Sequence, residues 1–387
     1  MSRRQRGTAT VLSAIICVAL AGATLVGSSC APPFSKATQD KLAAALDKVM
    51  VQGKLPGAVA GVWVPSQGTW VVANGVADFR EGTMMKLPDK LRIASITKTF
   101  TATMVLQLVD EGKVKLDDKL AKYVPEAPNA QNITIEQLLN HTSGIRDEDP
   151  NGTLHFQLKN DPLKQWKPLE VVEAYTGGKV QGEAGKEYEY SNAGYVLLGM
   201  VIEKASGRAV AEFLQKKIAA PLGLKSTHFP DGPDITGEFA HGYDGVTDVT
   251  RMDMSWDFTA GALISNLEDL HTWAKALATG KLLSNKIHEA QLTWVDIPGG
   301  QGQIKAGLGI EDEFGYLGHS GDNLGYQSNM KYLPDKDATI VVLFNKSSSN
   351  GEDRQSNERA FVWLSDVVFT GKIPAWYKQA IALPPPQ

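Results

Sequence analysis

Strand-like patterns lie at both ends of this sequence, and helical patterns fill the middle. Near the start, Ala58–Val64 and Trp70–Ala73 are short apolar runs joined by a turn at Gly68. Further strand-like runs near the end span 307–310, 314–319, 328–333 and 339–344. Because strands need partners, we expect these distant segments to form one sheet. The sequence therefore predicts an α+β fold with a mostly helical region inserted at about residues 105–265.

Apolar periodicity and capping residues predict the helices. They are expected at about residues 35–51, 95–111, 135–139, 195–205, 267–278 and 354–369. Thr134 and Gln137 have the spacing of a capping box.

The composition is that of an ordinary globular protein. Of 387 residues, 43% are apolar and 21% are charged. The formal net charge of −4 gives no reason to expect a nucleic-acid partner.

The first thirty residues have the pattern of an export signal. Three arginines, Arg3, Arg4 and Arg6, precede an uncharged, mostly apolar stretch at 8–26. Cleavage after Ala23 fits a small-x-small site, whereas Cys30 after Gly27-Ser28-Ser29 resembles a bacterial lipoprotein site. We favour lipidation of Cys30, which would be the protein's membrane contact. The expected location is the bacterial cell envelope, or outside the cell if the chain is secreted.

Both cysteines, Cys17 and Cys30, fall in this leader. The domain expected at 36–370 therefore has no disulfide, no cysteine nucleophile and no thiolate metal site. Residues 371–387 are expected to form a C-terminal tail.

Ser95 and Lys98 form a Ser-x-x-Lys pair at the start of a predicted helix. Residues three apart share a helix face, so the lysine amine can lie beside the serine hydroxyl. A serine hydroxyl needs a neighbouring base to act as a nucleophile, and a desolvated lysine can supply one. The pair alone is a weak motif, because a capping serine and a solvated lysine have the same spacing.

Two later motifs strengthen it. Tyr190 and Asn192 place a phenol and a carboxamide two residues apart, and a tyrosine beside a lysine cation can act as a general base. His319-Ser320-Gly321 lies on a predicted strand, where the glycine would let a substrate approach the backbone. His141 could also be a base, but we favour a structural role in its turn.

Ser-x-x-Lys, Tyr-x-Asn and His-x-Gly in this order resemble the motifs of the class C β-lactamase and D-alanyl-D-alanine carboxypeptidase family, which includes penicillin-binding proteins. Segments 106–113, 133–144, 190–199 and 318–325 are also similar to that family. The resemblance covers nearly all of residues 36–370 and implies a β-lactamase/transpeptidase-like fold, an antiparallel sheet flanked by helices.

The resemblance also implies roles for individual residues. Ser95 would be the nucleophile, with Lys98 and Tyr190 handling its proton. Asn192 would orient these groups, and His319 would stand where other members have lysine or histidine. The backbone N–H groups of Ser95 and Asp322 would form the oxyanion hole, beside Ser320 and Gly321. No metal or organic cofactor is implied.

One feature departs from members that trim D-Ala-D-Ala peptides. Those generally present cationic and hydroxyl groups to the terminal carboxylate of the substrate. Here Asp322 follows the His-Ser-Gly motif, and Glu311-Asp312-Glu313 precedes it. Anionic side chains there would repel a carboxylate.

The sequence thus predicts an exported serine hydrolase that forms an acyl-enzyme, most simply a carboxypeptidase-like peptidase or amidase acting on cell-wall peptides. A β-lactam or an ester is an alternative substrate, and a D-aminopeptidase-like hydrolase is an alternative enzyme. A non-catalytic protein that binds muropeptides or a partner is the alternative of another class. The chain lacks a G-x-S-x-G motif, which excludes an α/β-hydrolase esterase.

Overall fold

The structure is a computed structural model that describes residues 31–149, 152–347, 353 and 355–382. The predicted leader, with both of its processing sites, lies outside the described residues, as does most of the proline-rich end. No helix in the described part of the chain is both long and apolar enough to cross a membrane.

Most strands of the described chain lie near its two ends, and most helices lie between them. The strands are β1 Gly57–Val64, β2 Gly68–Asp78, β3 Thr83–Met84, β4 Leu91–Arg92, β5 Tyr243–Asp244, β6 Thr247–Asp248, β7 Ile264–Ser265, β8 Val295–Asp296, β9 Ile304–Ala306, β10 Glu311–Glu313, β11 Tyr316–Asn323, β12 Tyr326–Leu333 and β13 Ala338–Phe344. The α-helices are α1 Lys36–Gly53, α2 Thr97–Asp110, α3 Ile135–Leu139, α4 Thr153–Asn160, α5 Pro168–Thr176, α6 Asn192–Ser206, α7 Val210–Leu214, α8 Ala220–Leu222, α9 Phe258–Gly261, α10 Leu267–Ala278, α11 Asn285–Gln291, α12 Ser356–Val368 and α13 Ala375–Ala380.

Within the described residues, the main sheet has nine antiparallel strands in the order β3-β2-β1-β13-β12-β11-β10-β9-β8. The two ends of the chain meet where β1 pairs with β13, for example Ala60 with Val342. The sheet is therefore built from distant segments, as the sequence predicts.

Alternate residues of the central strands face two different apolar cores. Val342 and Phe344 pack in one core with Leu46 of α1 and Phe361 of α12. Their neighbours Val341 and Leu343 pack in the other core, with the helical region. Helices thus cover both faces of the middle of the sheet, which explains why β1 and β13 are apolar throughout.

Two sequence expectations are wrong in detail. Residues 307–310 form a loop between β9 and β10, because Gly309 takes φ +73° and packs against Ala102 of α2. The segment expected to be a tail contains α13. Its Trp376 and Tyr377 pack edge-on against Phe314, which anchors this helix to the body of the protein.

The turn that carries Ser95 is held against strand β11. A 3₁₀ turn, Ala94–Ile96, leads directly into α2. The Ile93 carbonyl accepts a hydrogen bond of 2.7 Å from Ser328 Oγ. A Cβ atom added to Gly321 would lie 2.5 Å from the same carbonyl oxygen and 3.0 Å from Ala94 Cβ. The absence of a side chain at Gly321 therefore makes room for the turn that carries Ser95. The sequence had suggested that it makes room for a substrate.

We expect Gly321→Ala to lower the free energy of unfolding by ~1–3 kcal/mol, because the crowded backbone atoms cannot move aside easily. It should also lower the reactivity of Ser95 by shifting its turn. Denaturant unfolding and labelling by an active-site serine probe measure both effects. Gly232→Ala is the control, since no heavy atom lies within 4 Å of the added Cβ and φ is not in the left-handed region. Equal stability of the two variants would contradict this account.

Candidate active site

Lys98 is the most buried polar group beside the predicted nucleophile. Its side chain is fully buried, and Nζ lies 3.1 Å from Ser95 Oγ. Nζ also donates to Asn192 Oδ1 at 2.6 Å and to the Ala260 carbonyl at 2.8 Å. Burial lowers the pKa of Lys98 to about 8, although nearby carboxylates favour its charged form. Roughly one tenth of the amine is therefore neutral at pH 7.

Tyr190 completes the contacts of the serine. Its hydroxyl lies near the Ser95 side chain, which acts on its pKa, and Lys98 Nζ lies 4.8 Å from the centre of its ring. Burial raises the pKa of Tyr190 well above its ordinary value. The expectation that the lysine cation promotes ionisation of this phenol is therefore wrong, because the loss of water on burial dominates the pKa of Tyr190. The neutral hydroxyl can still pass a proton from one oxygen or nitrogen to another.

Asp147, which the sequence did not single out, fixes the start of α6 and so places Asn192. Its carboxylate accepts hydrogen bonds from Ala193 N at 3.1 Å, from Ser191 Oγ at 3.2 Å and from Asn192 N. A carboxylate is favourable at a helix N-terminus, where backbone N–H groups have no partner in the helix. The Asn192 side chain also lies near the Tyr175 phenol and acts on its pKa.

His141 supports Tyr190 from behind. Its backbone takes φ +60° in the turn after α3, and its ring stacks on Tyr190 with 4.4 Å between ring centres. Nδ1 accepts a hydrogen bond of 3.0 Å from Ser191 N. Burial lowers the pKa of His141 well below its ordinary value, so the ring is neutral. These contacts fit the structural role favoured from the sequence.

His319 lies above a buried cluster of charges. Its Nε2 is 3.6 Å from Glu311 Oε1, and the other Glu311 oxygen is 3.5 Å from Lys331 Nζ. Lys331 also contacts Glu313 at 2.5 Å. Burial raises the pKa of Glu313 to about 8, so Glu313 is mostly protonated at pH 7. Burial also lowers the pKa of His319.

This cluster corrects the expectation that Glu311-Asp312-Glu313 presents three free charges to a substrate. Glu311 alone of the three lines the cavity, and Lys331 compensates its charge. Glu313 is turned to Lys331, and Asp312 accepts a hydrogen bond from Gly315 N in the next turn. Lys331 lies on the next strand, β12, so the residues around the His-Ser-Gly motif do not reveal it.

The predicted site residues meet in one cavity of about 490 Å³. It is lined by Ser95, Tyr175, Tyr190, Asn192, Trp256, Asp257, Glu311, His319, Ser320, Gly321, Asp322, Asn323, Leu324 and Ser347. Three carboxylates belong to this lining, Asp257, Glu311 and Asp322. Neither lysine nor arginine occurs among the described residues that line it. The lining is therefore rich in carboxylates, of which Glu311 is compensated by Lys331.

The open edge of β11 forms one wall of the cavity. β10 pairs only with Tyr316–Gly318, so the following residues of β11 form the outer edge of the sheet. Backbone groups on such an edge can bind an extended substrate. The Asp322 side chain accepts a hydrogen bond from Ser347 Oγ. Across residues 31–149, 152–347 and 355–382, no group of three His, Cys, Asp or Glu is arranged to hold a metal ion.

Comparison with known proteins agrees with this geometry. The family pattern described as Beta-lactamase matches residues 42–362. Protein flp of Staphylococcus aureus strain MRSA252 is 28% identical over 326 residues, which are 80% of this chain but only 64% of flp. The D-alanyl-D-alanine-carboxypeptidase/endopeptidase AmpH of Escherichia coli strain K12 is 27% identical over 319 residues, with 75% of this chain and 80% of AmpH covered.

Solved structures show the same fold. The D-stereospecific amidohydrolase from Streptomyces sp. superposes with a TM-score of 0.72 at 29% identity, covering 82% of this chain and 98% of that one. The D-amino acid amidase from Ochrobactrum anthropi SV3 gives a TM-score of 0.74 at 27% identity, covering 86% and 99%. The fold is thus β-lactamase/transpeptidase-like, as the motifs predict.

The lowered pKa of Lys98 should appear in the reactivity of Ser95. The neutral amine that can accept the serine proton is present above about pH 8 and is lost as the pH falls. The rate of labelling by a fluorophosphonate probe should therefore rise roughly tenfold per unit below pH 8 and then level off. Lys98→Met should slow labelling strongly and remove this limb, and Ser95→Ala should abolish labelling. A labelling rate that is constant from pH 6 to pH 9 would rule out Lys98 as the base.

Proposed function

The chain belongs to the beta-lactamase family of serine hydrolases, and on that premise we propose that it cleaves amide bonds of peptides or amides of D-amino acids through an acyl-enzyme on Ser95. Cell-wall peptides are the natural class of such substrates. The observation that carries the proposal is a carboxylate-rich cavity built around the Ser95–Lys98 pair. It suits a substrate whose leaving group is neutral better than one that ends in a carboxylate.

In the proposed first step, Ser95 Oγ bonds to the carbonyl carbon of the substrate while its proton moves to neutral Lys98. The electron pair of the carbonyl moves to its oxygen. That oxygen accepts hydrogen bonds from the backbone N–H groups of Ser95 and Asp322, a type of contact that stabilises the transition state by ~3 kcal/mol per donor.

The C–N bond then breaks, and the leaving nitrogen takes a proton from Lys98. The Tyr190 hydroxyl lies near the Ser95 side chain, and in the proposed step it relays that proton without becoming charged. The acyl group is left on Ser95, and water releases it by the reverse sequence of proton transfers. His319 lies beside the leaving group on β11, where it positions the substrate.

A carboxypeptidase that acts on free D-Ala-D-Ala ends is the second candidate, because the chain is similar to AmpH over most of its length. An esterase, or a D-aminopeptidase-like enzyme, would use the same serine. A non-catalytic binding protein is the alternative that the site supports least, because binding alone does not require a desolvated lysine 3.1 Å from a serine hydroxyl.

The two leading candidates differ in how they treat a terminal carboxylate. We expect D-Ala-D-Ala amide to be cleaved at its central bond with a higher kcat/KM than the free acid, because the cavity is rich in carboxylates. Asp322→Asn should narrow that gap by a few-fold. Asp312→Asn, which removes a charge outside the cavity, should not change it. A wild-type enzyme that prefers the free acid would establish the carboxypeptidase function instead.

We also propose that the protein is exported and anchored by lipid at Cys30, on the pattern of its first thirty residues. Mass spectrometry of the N-terminal peptide from the producing cells decides among the outcomes. We expect a lipid-modified Cys30 at the N-terminus. A chain that begins at Thr24 would indicate ordinary cleavage after Ala23, and an unprocessed N-terminus would contradict export.

A further inference from the structure

One buried carboxylate of the cavity, that of Asp257, has no role in the proposed mechanism. Asp257 is the residue just before α9 and is only 7% exposed. One of its oxygens accepts a hydrogen bond of 2.5 Å from Asn323 Nδ2. The carboxylate lines the same cavity as Ser95.

No described ion pair includes Asp257, and the nearby cations are engaged elsewhere. Lys98 donates to Ser95, Asn192 and Ala260. Arg92 donates through Nη2 to the carbonyl groups of Pro233, Thr250 and Met252 and makes no described ion pair with Asp257. Lys98 and Arg92 therefore act on Asp257 only from beyond ion-pair distance. A ligand ammonium group in direct contact would offset more of the cost of burying this carboxylate.

The chain leaves space for this carboxylate beside α9. A Cβ atom on Gly261 would lie 2.0 Å from Asp257 Oδ2, so only glycine fits there. Burial raises the pKa of Asp257 to about 6, which still leaves the group mostly ionised at pH 7. The site is thus built around a negative charge rather than around a neutral acid.

Aromatic side chains line the cavity together with Asp257. Trp256 precedes it in the chain, and Tyr175 lies close enough that the Asp257 charge raises the pKa of the phenol. A carboxylate bordered by aromatic rings is a favourable environment for an ammonium group.

Asp257 is also close to the reacting atoms. Its charge is the largest electrostatic influence on Lys98, which touches Ser95. Asn192 accepts a hydrogen bond from Lys98 and lies near Tyr175, whose pKa it affects, so it lies between the serine and this end of the cavity. An amine held here would lie on the Asn192 side of Ser95, where the acyl part of the substrate is bonded to the serine.

We propose that Asp257, with Tyr175 and Trp256, binds the protonated α-amino group of the acyl part and selects substrates with a free amino terminus. This inference rests on the proposed amide hydrolysis through Ser95 and adds the charge that the substrate must carry. N-acylated substrates would bury the same carboxylate without a cation in contact and should react poorly. Intact cell-wall stem peptides are among them, so the inference narrows the proposed substrates to D-amino acid amides and to peptides with a free amino terminus.

The test compares D-alanine p-nitroanilide with its N-acetyl derivative. We expect wild type to favour the free amine in kcat/KM by at least about tenfold, and Asp257→Asn to lower that ratio about tenfold. Using the ratio removes any effect of the substitution on Lys98, because both substrates need the same nucleophile.

Asp253→Asn is the matched control. It lies in the same segment, is not part of this cavity, and keeps an oxygen that can accept from Ser255 N. Its ratio should stay within about twofold of wild type.

A measurement on wild type alone covers the case in which Asp257→Asn does not fold. D-Alaninol, which carries the ammonium group, should inhibit at least about tenfold more tightly than N-acetyl-D-alaninol. Equal inhibition, or a wild type that cleaves the N-acetyl substrate as well as the free amine, overturns the inference but leaves amide hydrolysis standing. Failure to cleave either nitroanilide, together with failure of a fluorophosphonate to label Ser95, overturns the proposed function and the inference with it.

Discussion

The contact between the buried amine of Lys98 and the hydroxyl of Ser95 is the interaction on which the site depends. An amine without water is costly to charge, and this cost lowers its pKa to about 8. Two other acceptors, Asn192 Oδ1 and the Ala260 carbonyl, hold the amine in place. Each of them belongs to the start or the end of a helix, so α2, α6 and α9 must be packed correctly before the amine is positioned.

The sheet supplies the other half of the site through a close packing contact. Gly321 lets β11 approach the turn that carries Ser95, and Ser328 of β12 hydrogen-bonds the same turn. These strands are in turn linked through β13 to β1, near the other end of the domain. The nucleophile is therefore positioned only when distant segments of the chain have paired, which couples formation of the site to formation of the whole fold.

Local patterns were sufficient to predict the α+β fold, the approximate bounds of six of the thirteen described helices, and the residues that meet around Ser95. The Thr134–Gln137 capping box and the helix at 267–278 are confirmed because short-range hydrogen bonding and periodicity decide them. Asp147, Asp257 and Lys331 could not be found in this way. Each is far in sequence from the group that it contacts, and each matters because of burial, which a single sequence does not display. The sequence predicts a strand at 307–310 because these residues are apolar. They form a loop instead, since Gly309 has a left-handed backbone conformation that a strand does not use.

The central claim is that Ser95 carries the acyl group of the substrate during turnover. It is tested most directly by rapid acid quenching of the enzyme with a D-alanine ester, followed by mass spectrometry of its peptides. The account predicts a D-alanyl adduct on the peptide that contains Ser95, formed before product release reaches its steady rate and absent in Ser95→Ala. Steady product formation with no adduct on that peptide, or with an adduct on a different residue, would contradict it.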